Sequence, residues 1–330
     1  MANPNHYLKN TNPYCRRGYV KNLIECVPNF SEGCSRPVIE AIVSAISRGP
    51  GVAVLNVHSD PDHNRSVVTF VATKDQVGLA ALRGIGCAIK SINLQKHSGC
   101  HPRIGSTDVV PFIPFNGTSI SDCIKIAQKV GNDAFQEYGL PIYLYGAAAK
   151  KKDRIKLENI RRGQFELLRE KIKTDPTRFP DFGLKKLHPT AGATLVGARN
   201  FLIAFNVNLE TQDVRIARQI AKNIRESNHE KHGGLPGIKA MGVKLISKNL
   251  AQVSVNIDDY TKTSIEKVFQ SIKRESMRRG IRVRNSEIVG LIPKGAIPQG
   301  AQEKLLIENF DENLVLESRL GEEFNFLVTS

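Results

Sequence analysis

Apolar positions along this chain follow two rhythms that alternate: short runs with period two, and stripes spaced three and four apart. Leu23–Val27 reads as a strand and Asn29–Gly33 as a turn. Ser35, with Pro37 in the first turn behind it, opens a helix whose inward stripe is Val38, Ile39, Ile42, Val43 and Ile46. Gly49-Pro50-Gly51 stops it. Val52–Val57 and Ser66–Ala72 are strands joined by the polar loop His58–Arg65. Asp75 caps a helix running to Asn93, with Val77, Leu82, Ile85 and Ile89 inward, and Val109–Phe115 is a further strand. A helix over Ser121–Tyr138 and a short strand over Ile142–Tyr145 complete this half.

The second half repeats the pattern. Phe201–Val207 is a strand and Gln212–Arg225 a helix with Val214, Ala217, Ile220 and Ile224 on one face. Gly237–Ile246 and Ala251–Asp258 pair around Ser247–Asn249, Ser264–Arg279 is a helix, and Ile281–Val289 closes the set. Each half reads β-α-β-β-α-β, which predicts an α/β (α+β) protein of two related split-βαβ, ferredoxin-like subdomains with helices packed on mixed sheets. The expected division is a flexible basic arm over 1–21, an N-terminal subdomain over 22–200 and a C-terminal one over 201–330. Lys150–Lys173, with ten basic and four acidic residues, reads as a solvated helix or connector, or as a binding surface. Pro176–Ala191 holds three prolines and reads as a long ordered loop or a linker. Pro293–Leu327 is a tail with a short helix near Ala301–Asn309.

One stretch stands apart from these rhythms. His97–Phe115, HSGCHPRIGSTDVVPFIPF, is a turn with Gly99, Pro102 and Gly105 leading into an apolar strand. Pro102 pushes the backbone of His101 toward the extended region. An imidazole titrates near pH ~6.5, so His101 is suited to take and return a proton at neutral pH. The alternative is a turn histidine bonded to the backbone.

The block HSGCHPRIGSTDVVPFIP resembles the signature of the formiminotransferase family. Further blocks follow in the family's order: LIECVPNFSEG at Leu23–Gly33, DHNRSVVTFV at Asp62–Val71, PIYLYG at Pro141–Gly146, DFG at Asp181–Gly183, GAT at Gly192–Thr194, GARNFLIAFNVNL at Gly197–Leu209 and KNLAQVSVN at Lys248–Asn256. The resemblance implies transfer of a formimino group from N-formimino-L-glutamate to N5 of tetrahydrofolate, a step in histidine degradation, by a homodimer. It makes His101 the catalytic residue. It implies folate binding by Gly183, Leu184, Lys185, Lys186, Leu187, His188, Pro189, Thr190, Ala191 and Gly192, where Gly183, Pro189 and Gly192 match and the interior differs. Arg65 and Arg103 are then candidates for substrate carboxylates, or members of structural ion pairs. Asp108 either orients His101, attracts the cationic amidine, or caps a turn. The animal members carry an acid where this chain has His58, so any acid-assisted step is in question here.

Composition narrows the alternatives. The net charge of +15 (47 basic against 32 acidic residues) suits a polyanion such as folate polyglutamate, and equally suits solubility alone. No Trp and 6% aromatic residues leave few stacking platforms for nucleic acid. No P-loop or G-x-G-x-x-G after a strand points to a nucleotide cofactor. No run approaches the ~20 apolar residues of a membrane helix. The six cysteines show no C-x-x-C pair and read as reduced thiols of a cytoplasmic protein. His58-Ser59-Asp60-Pro61-Asp62-His63 superficially resembles a metal-ligand cluster, but its spacing matches no zinc motif, so no metal is expected. The rival readings are a metal-dependent hydrolase of formimino or formyl amino acids, and a folate- or RNA-binding protein without turnover.

Overall fold

The structure is a computed structural model and describes residues 22–228, 233–308 and 310–321. The expected basic arm, residues 1–21, lies outside them. The first half contains β1 (Leu23–Cys26), β2 (Asn29–Phe30), α1 (Arg36–Ser47), β3 (Val52–Asp60), β4 (Arg65–Thr73), α2 (Val77–Ser91) and β5 (Thr107–Pro114). Then come α3 (Ile120–Tyr138), β6 (Ile142–Gly146), α4 (Leu157–Arg161), α5 (Gln164–Lys171) and β7 (Thr194–Ala198). The second half is β8 (Ile203–Leu209), α6 (Val214–Ile224), β9 (Ile238–Leu245), β10 (Leu250–Ile257), α7 (Ile265–Met277) and β11 (Val283–Val289), followed by the short α8 (Ala301–Leu305).

In the first sheet β1 and β2 lie between β4 and β5, with β3 outside β4, all antiparallel. The second sheet runs β11-β8-β10-β9, also antiparallel. Both place the strand after the second helix beside the first strand, so the repeated β-α-β-β-α-β pattern gives one topology twice. The first sheet alone is mixed. Beyond β5 it continues through β7 and β6, parallel to β5 and to each other, with α3 as the crossover. The second sheet has no such crossover, which corrects the expectation of two mixed sheets. β7 is absent from the elements read in the sequence. It is buried along its whole length, so it has no alternation to reveal it. Its return to the first sheet also makes Pro176–Ala191 an excursion within that half.

Helix ends follow local chemistry. Ser119 and Asp122 form a reciprocal capping box on α3, which ends at Gly139 with φ +64°. Asp213 and Ser264 cap α6 and α7. Ile42, Ile46, Ala80, Ile85, Ala127 and Val130 pack on one face of the first sheet, through Val68, Phe70 and Phe112. Ala217, Ile220, Val268 and Phe269 pack in the same way on Phe205, Val207, Val253 and Val255 of the second. Each sheet thus has one face sealed by helices, and the two remaining faces turn toward each other.

The charge run Lys150–Lys173 is not simply solvated. Arg154 is buried, pairs with Asp181 at 2.6 Å, lies over the Tyr143 ring and donates to the carbonyls of Thr177 and Phe179. It pins the excursion after α5 to the sheet.

Candidate functional site

Two patches cover the second face of the first sheet. Near β6 and β7, Ile160, Phe165 and Leu168 of α4 and α5 pack on Tyr143, Tyr145 and Leu195. At the other end Leu291, Leu316 and Leu320 pack on Ala53, Leu55 and Val71. Between them lies a cleft, open to solvent, with the second sheet as its far wall.

Strand alternation decides which side chains enter. On the near wall the odd positions Glu25, Arg65, Val67, Thr69, Val109 and Pro111 point in. β3 should present the wrong parity, since Val54 opposite Phe70 belongs to the helix side. A bulge between Val54 and Asn56 shifts the phase, and His58 and Asp60 then stand opposite Val67 and Arg65, on the cleft side. These two residues are strand residues, where the sequence suggested a loop. On the far wall Ala204, Asn206, Ser254 and Asn256 face the cleft.

His101 enters from the turn before β5. That turn is held down tightly. The Asn64 side chain donates to Ser98 O at 2.7 Å, and Cys100 N donates to Asp62 O at 3.2 Å. A Cβ at Gly99 would lie 2.5 Å from His63 O, and one at Gly105 would lie 2.0 Å from Ala193 O, so both positions need glycine. His101 Nδ1 is 2.9 Å from Pro102 O and 3.1 Å from Arg65 Nη1. Arg65 Nη1 also donates to Asp108 Oδ2 at 3.1 Å. We assign the proton to Nδ1, donated to Pro102 O, because the guanidinium already has its acceptor; the tautomer is inferred from this network. That leaves the Nε2 lone pair for the cleft. Burial first, then Arg65, Arg161 and His63, hold the His101 pKa well below the ordinary imidazole value. It is therefore an unprotonated base at neutral pH. Burial likewise lowers the His58 pKa.

Asp108 is fully buried and organises the cations. Its Oδ1 accepts from Ile104 N at 2.9 Å, capping the turn, while Oδ2 accepts from Arg65 and Arg161. It has no direct bond to His101. Arg65 is further fixed by Asn29 Oδ1. Burial lowers its pKa to about 10, so it stays charged. Arg103 does not line the cleft. It holds Glu166 with two bonds of 2.8 and 3.0 Å, donates to His97 Nδ1 and reaches Gln164, so it ties α5 to the turn.

The 183–192 segment lies behind the turn and contributes no side chain to the cleft wall. Gly183 packs on Pro141, and Leu187 and Ala191 are buried. His188 and Gly192 exchange backbone bonds, and the His188 ring accepts from Thr190 N and Ala191 N. Gln95 donates to Pro189 O. Leu184, Lys185 and Lys186 are exposed, with Lys185 over the Phe179 ring. His58, Asp60 and His63 all line the cleft, whereas Asp62 turns away to bond Ser247 of the second half. Among the described residues no group of three or more His, Cys, Asp or Glu side chains is arranged to hold a metal ion.

Several cleft residues were not singled out from the sequence. Arg161 was hidden in the charge run. Tyr145 and Glu25 sit inside quoted blocks, PIYLYG and LIEC, in stretches that read as strands, and Arg199, in GARN, follows β7, which the sequence did not reveal. The signal available for Glu25 was a lone acid in an apolar strand. On the far wall, Asn206 and Asn208 alternate with Phe205, Val207 and Leu209, a polar stripe that parity alone would have placed opposite the helices.

Fold and site together define an α/β protein of two facing sheet-and-helix units, with a small-molecule cleft built around an unprotonated imidazole and several guanidinium groups. Family models agree along the chain: the formiminotransferase domain, N-terminal subdomain, matches residues 23–199, and the formiminotransferase domain matches residues 204–318. The chain belongs to the formiminotransferase family. It is 42% identical over 299 residues to the glutamate formimidoyltransferase of Streptococcus pyogenes serotype M1, covering 90% of this chain and 98% of that one. It is 41% identical over 306 residues to the protein of the same name from Thermoplasma acidophilum, covering 92% and 99%. The formimidoyltransferase-cyclodeaminase of Mus musculus is 41% identical over 310 residues, which cover 92% of this chain and 57% of that protein.

Proposed function

We propose that this protein is a glutamate formimidoyltransferase: it moves the formimidoyl group of N-formimino-L-glutamate to N5 of tetrahydrofolate, giving 5-formimidoyltetrahydrofolate and L-glutamate. The observation that carries the reading is His101, presented unprotonated to the cleft in a chain of this family. N5 attacks the amidinium carbon and loses its proton to His101 Nε2. The tetrahedral adduct then expels the glutamate nitrogen, which receives that proton from His101. A lowered His101 pKa makes the imidazolium formed between the two steps a better acid, which favours its passing the proton on. Proton shuttling of this kind contributes about 10²–10⁴ in rate, and alignment of two bound substrates supplies much of the remainder.

Arg65, Arg161 and Arg199 are proposed to receive substrate carboxylates. Asp108 holds the first two of these cations in place. Arg103 acts through the turn it braces. The amides of the far wall offer uncharged donors and acceptors to a heterocycle. Residues 183–192 are proposed to meet folate outside the cleft, with Lys185 and Lys186 at its glutamate tail. The two halves, 22–200 and 201–330, are proposed as subdomains that close on the substrates together. Tetrahydrofolate is a co-substrate and no metal takes part in the scheme. No described helix is long and apolar enough to cross a membrane. A cytoplasmic homodimer acting in histidine degradation is the setting that the family suggests.

Incubation with both substrates, followed by chromatography of products, tests the proposal. Equal amounts of L-glutamate and 5-formimidoyltetrahydrofolate are expected. Glutamate released without tetrahydrofolate would instead identify a hydrolase.

A further inference from the structure

Two acids of the cleft are left idle by the transfer scheme: Asp60, whose Oδ1 accepts from His63 N at 2.9 Å, and Glu25, which has an oxygen without a partner. Glu25 is on β1, in the middle of the first sheet, with Val71 and Ile113 as its cross-strand neighbours. Parity turns its carboxylate into the cleft, yet it is only 2% exposed. Its Oε2 is buried and has no hydrogen-bond partner. A buried carboxylate oxygen without a partner costs about 1–3 kcal/mol or more, so such groups are normally satisfied. Arg199 lines the same cleft and acts on Glu25 through its charge, but it forms no ion pair with it; Arg199 Nη1 donates instead to Asn200 O. Burial pushes the Glu25 pKa up to about 7, against the pull of Arg199. The site is thus a desolvated acceptor whose complement is missing from the protein.

We propose that Glu25 is a binding residue for a planar N–C–N group that presents N–H donors on both nitrogens, and that in this reaction the group is the amidinium of the formimidoyl donor. This rests on the transfer reading above. A carboxylate and an amidinium match in shape and charge, as a carboxylate and a guanidinium do. Glu25 would then tell a formimidoyl donor, which is cationic, from a formyl donor, which is neutral and lacks one N–H. The remaining charges of the near wall are mostly guanidinium groups and suit the donor's carboxylates, so Glu25 gives the cation a place of its own. The pteridine edge of folate presents a similar N–C–N pair, and the measurements below separate the two sources.

The test uses the intact protein and Glu25→Gln, which keeps the shape and removes the charge. The donor KM is expected to rise at least tenfold, about 1.4 kcal/mol. The Kd of tetrahydrofolate and the inhibition constant of N-formyl-L-glutamate should change less than threefold. If the tetrahydrofolate Kd rises and the donor KM does not, the acid serves the pteridine, and the assignment to the amidinium is overturned. If neither changes, or if formyl and formimidoyl compounds weaken equally, Glu25 is structural. A second measurement avoids the variant: formamidinium should inhibit the wild-type protein competitively against the donor, and formamide should not. Equal inhibition by the two overturns the proposal. Absence of any transfer by the wild type would instead count against the transfer reading, while tetrahydrofolate binding by Glu25→Gln would still report on the pteridine.

Discussion

The two walls of the cleft are built alike and furnished differently. Each is the face turned away from the two main helices of an antiparallel strand set with the same topology. On the first sheet that face carries Glu25, Arg65 and His58, with His101 nearby and the buried Asp108 bonded to Arg65 and Arg161. On the second it carries Asn206, Asn208, Gln252, Ser254 and Asn256, with Glu287 bonded to Asn206 and Gln252 at 3.0 and 3.1 Å. Most of the titratable groups meet on one side and most of the uncharged hydrogen-bonding groups on the other, with Glu287 as the exception. The difference has a physical consequence. Burial first, and neighbouring charges after it, displace the pKa values of titratable groups, as the lowered His101 and the raised Glu25 show. Amides bond strongly in a low dielectric without disturbing those values. The repeated fold thus gives one copy most of the titratable groups of the cleft and the other most of its amides.

Breaking the charged wall should have the largest effect on stability. Asp108→Ala leaves Arg65 and Arg161 buried without their shared partner, and urea unfolding should show a loss of about 3–5 kcal/mol. A loss below about 1 kcal/mol would mean that solvent already screens the cluster. On the amide wall, Asn256→Ala should weaken tetrahydrofolate binding by about 0.5–1.5 kcal/mol. It should leave the single-turnover rate at saturation within twofold; a matching fall in rate would place chemistry on the wrong wall.

The walls should also separate by pH. Glu25 has its folded pKa near 7 and an ordinary value of 4.5. The folded state holds this proton more tightly than the unfolded chain, so the stability it contributes is present at low pH and is lost between about pH 4.5 and 7. The melting temperature of Glu25→Gln minus that of wild type should therefore grow across that window and level off above it. A flat difference would mean that the carboxyl is not desolvated. Asn206→Ala should show no such trend. The smallest effect is expected outside the cleft. Alanine at both Lys185 and Lys186 should reduce the preference for longer folate tails only a few-fold, and only at low salt, because exposed charges are screened over ~10 Å at 0.1 M. An undiminished preference at low salt would move the tail elsewhere.

How much of this was legible in the sequence depended on whether burial left a rhythm. α6, α7 and β8 to β11 show clean alternation because each has one wet or polar face, and the repeated order could be read directly. β7 has no such face and went unread. The turn around His101 announced itself through Gly99, Pro102 and Gly105, whose close backbone contacts admit little else. Arg161 and Arg154 sat in a run whose charge suggested solvent, although one reaches Asp108 and the other is sealed against Tyr143. His58 and Asp60 read as loop residues because the bulge that re-aims them depends on pairing with β4, which local sequence does not encode.

The most direct test of the account is the single-turnover rate of His101→Ala with both substrates saturating, set beside its Kd for tetrahydrofolate. The rate should fall at least ~10²-fold, as expected for loss of a proton shuttle, while the Kd stays within about tenfold, ~1.4 kcal/mol. A rate above a tenth of wild type, or a loss confined to the Kd, would contradict it.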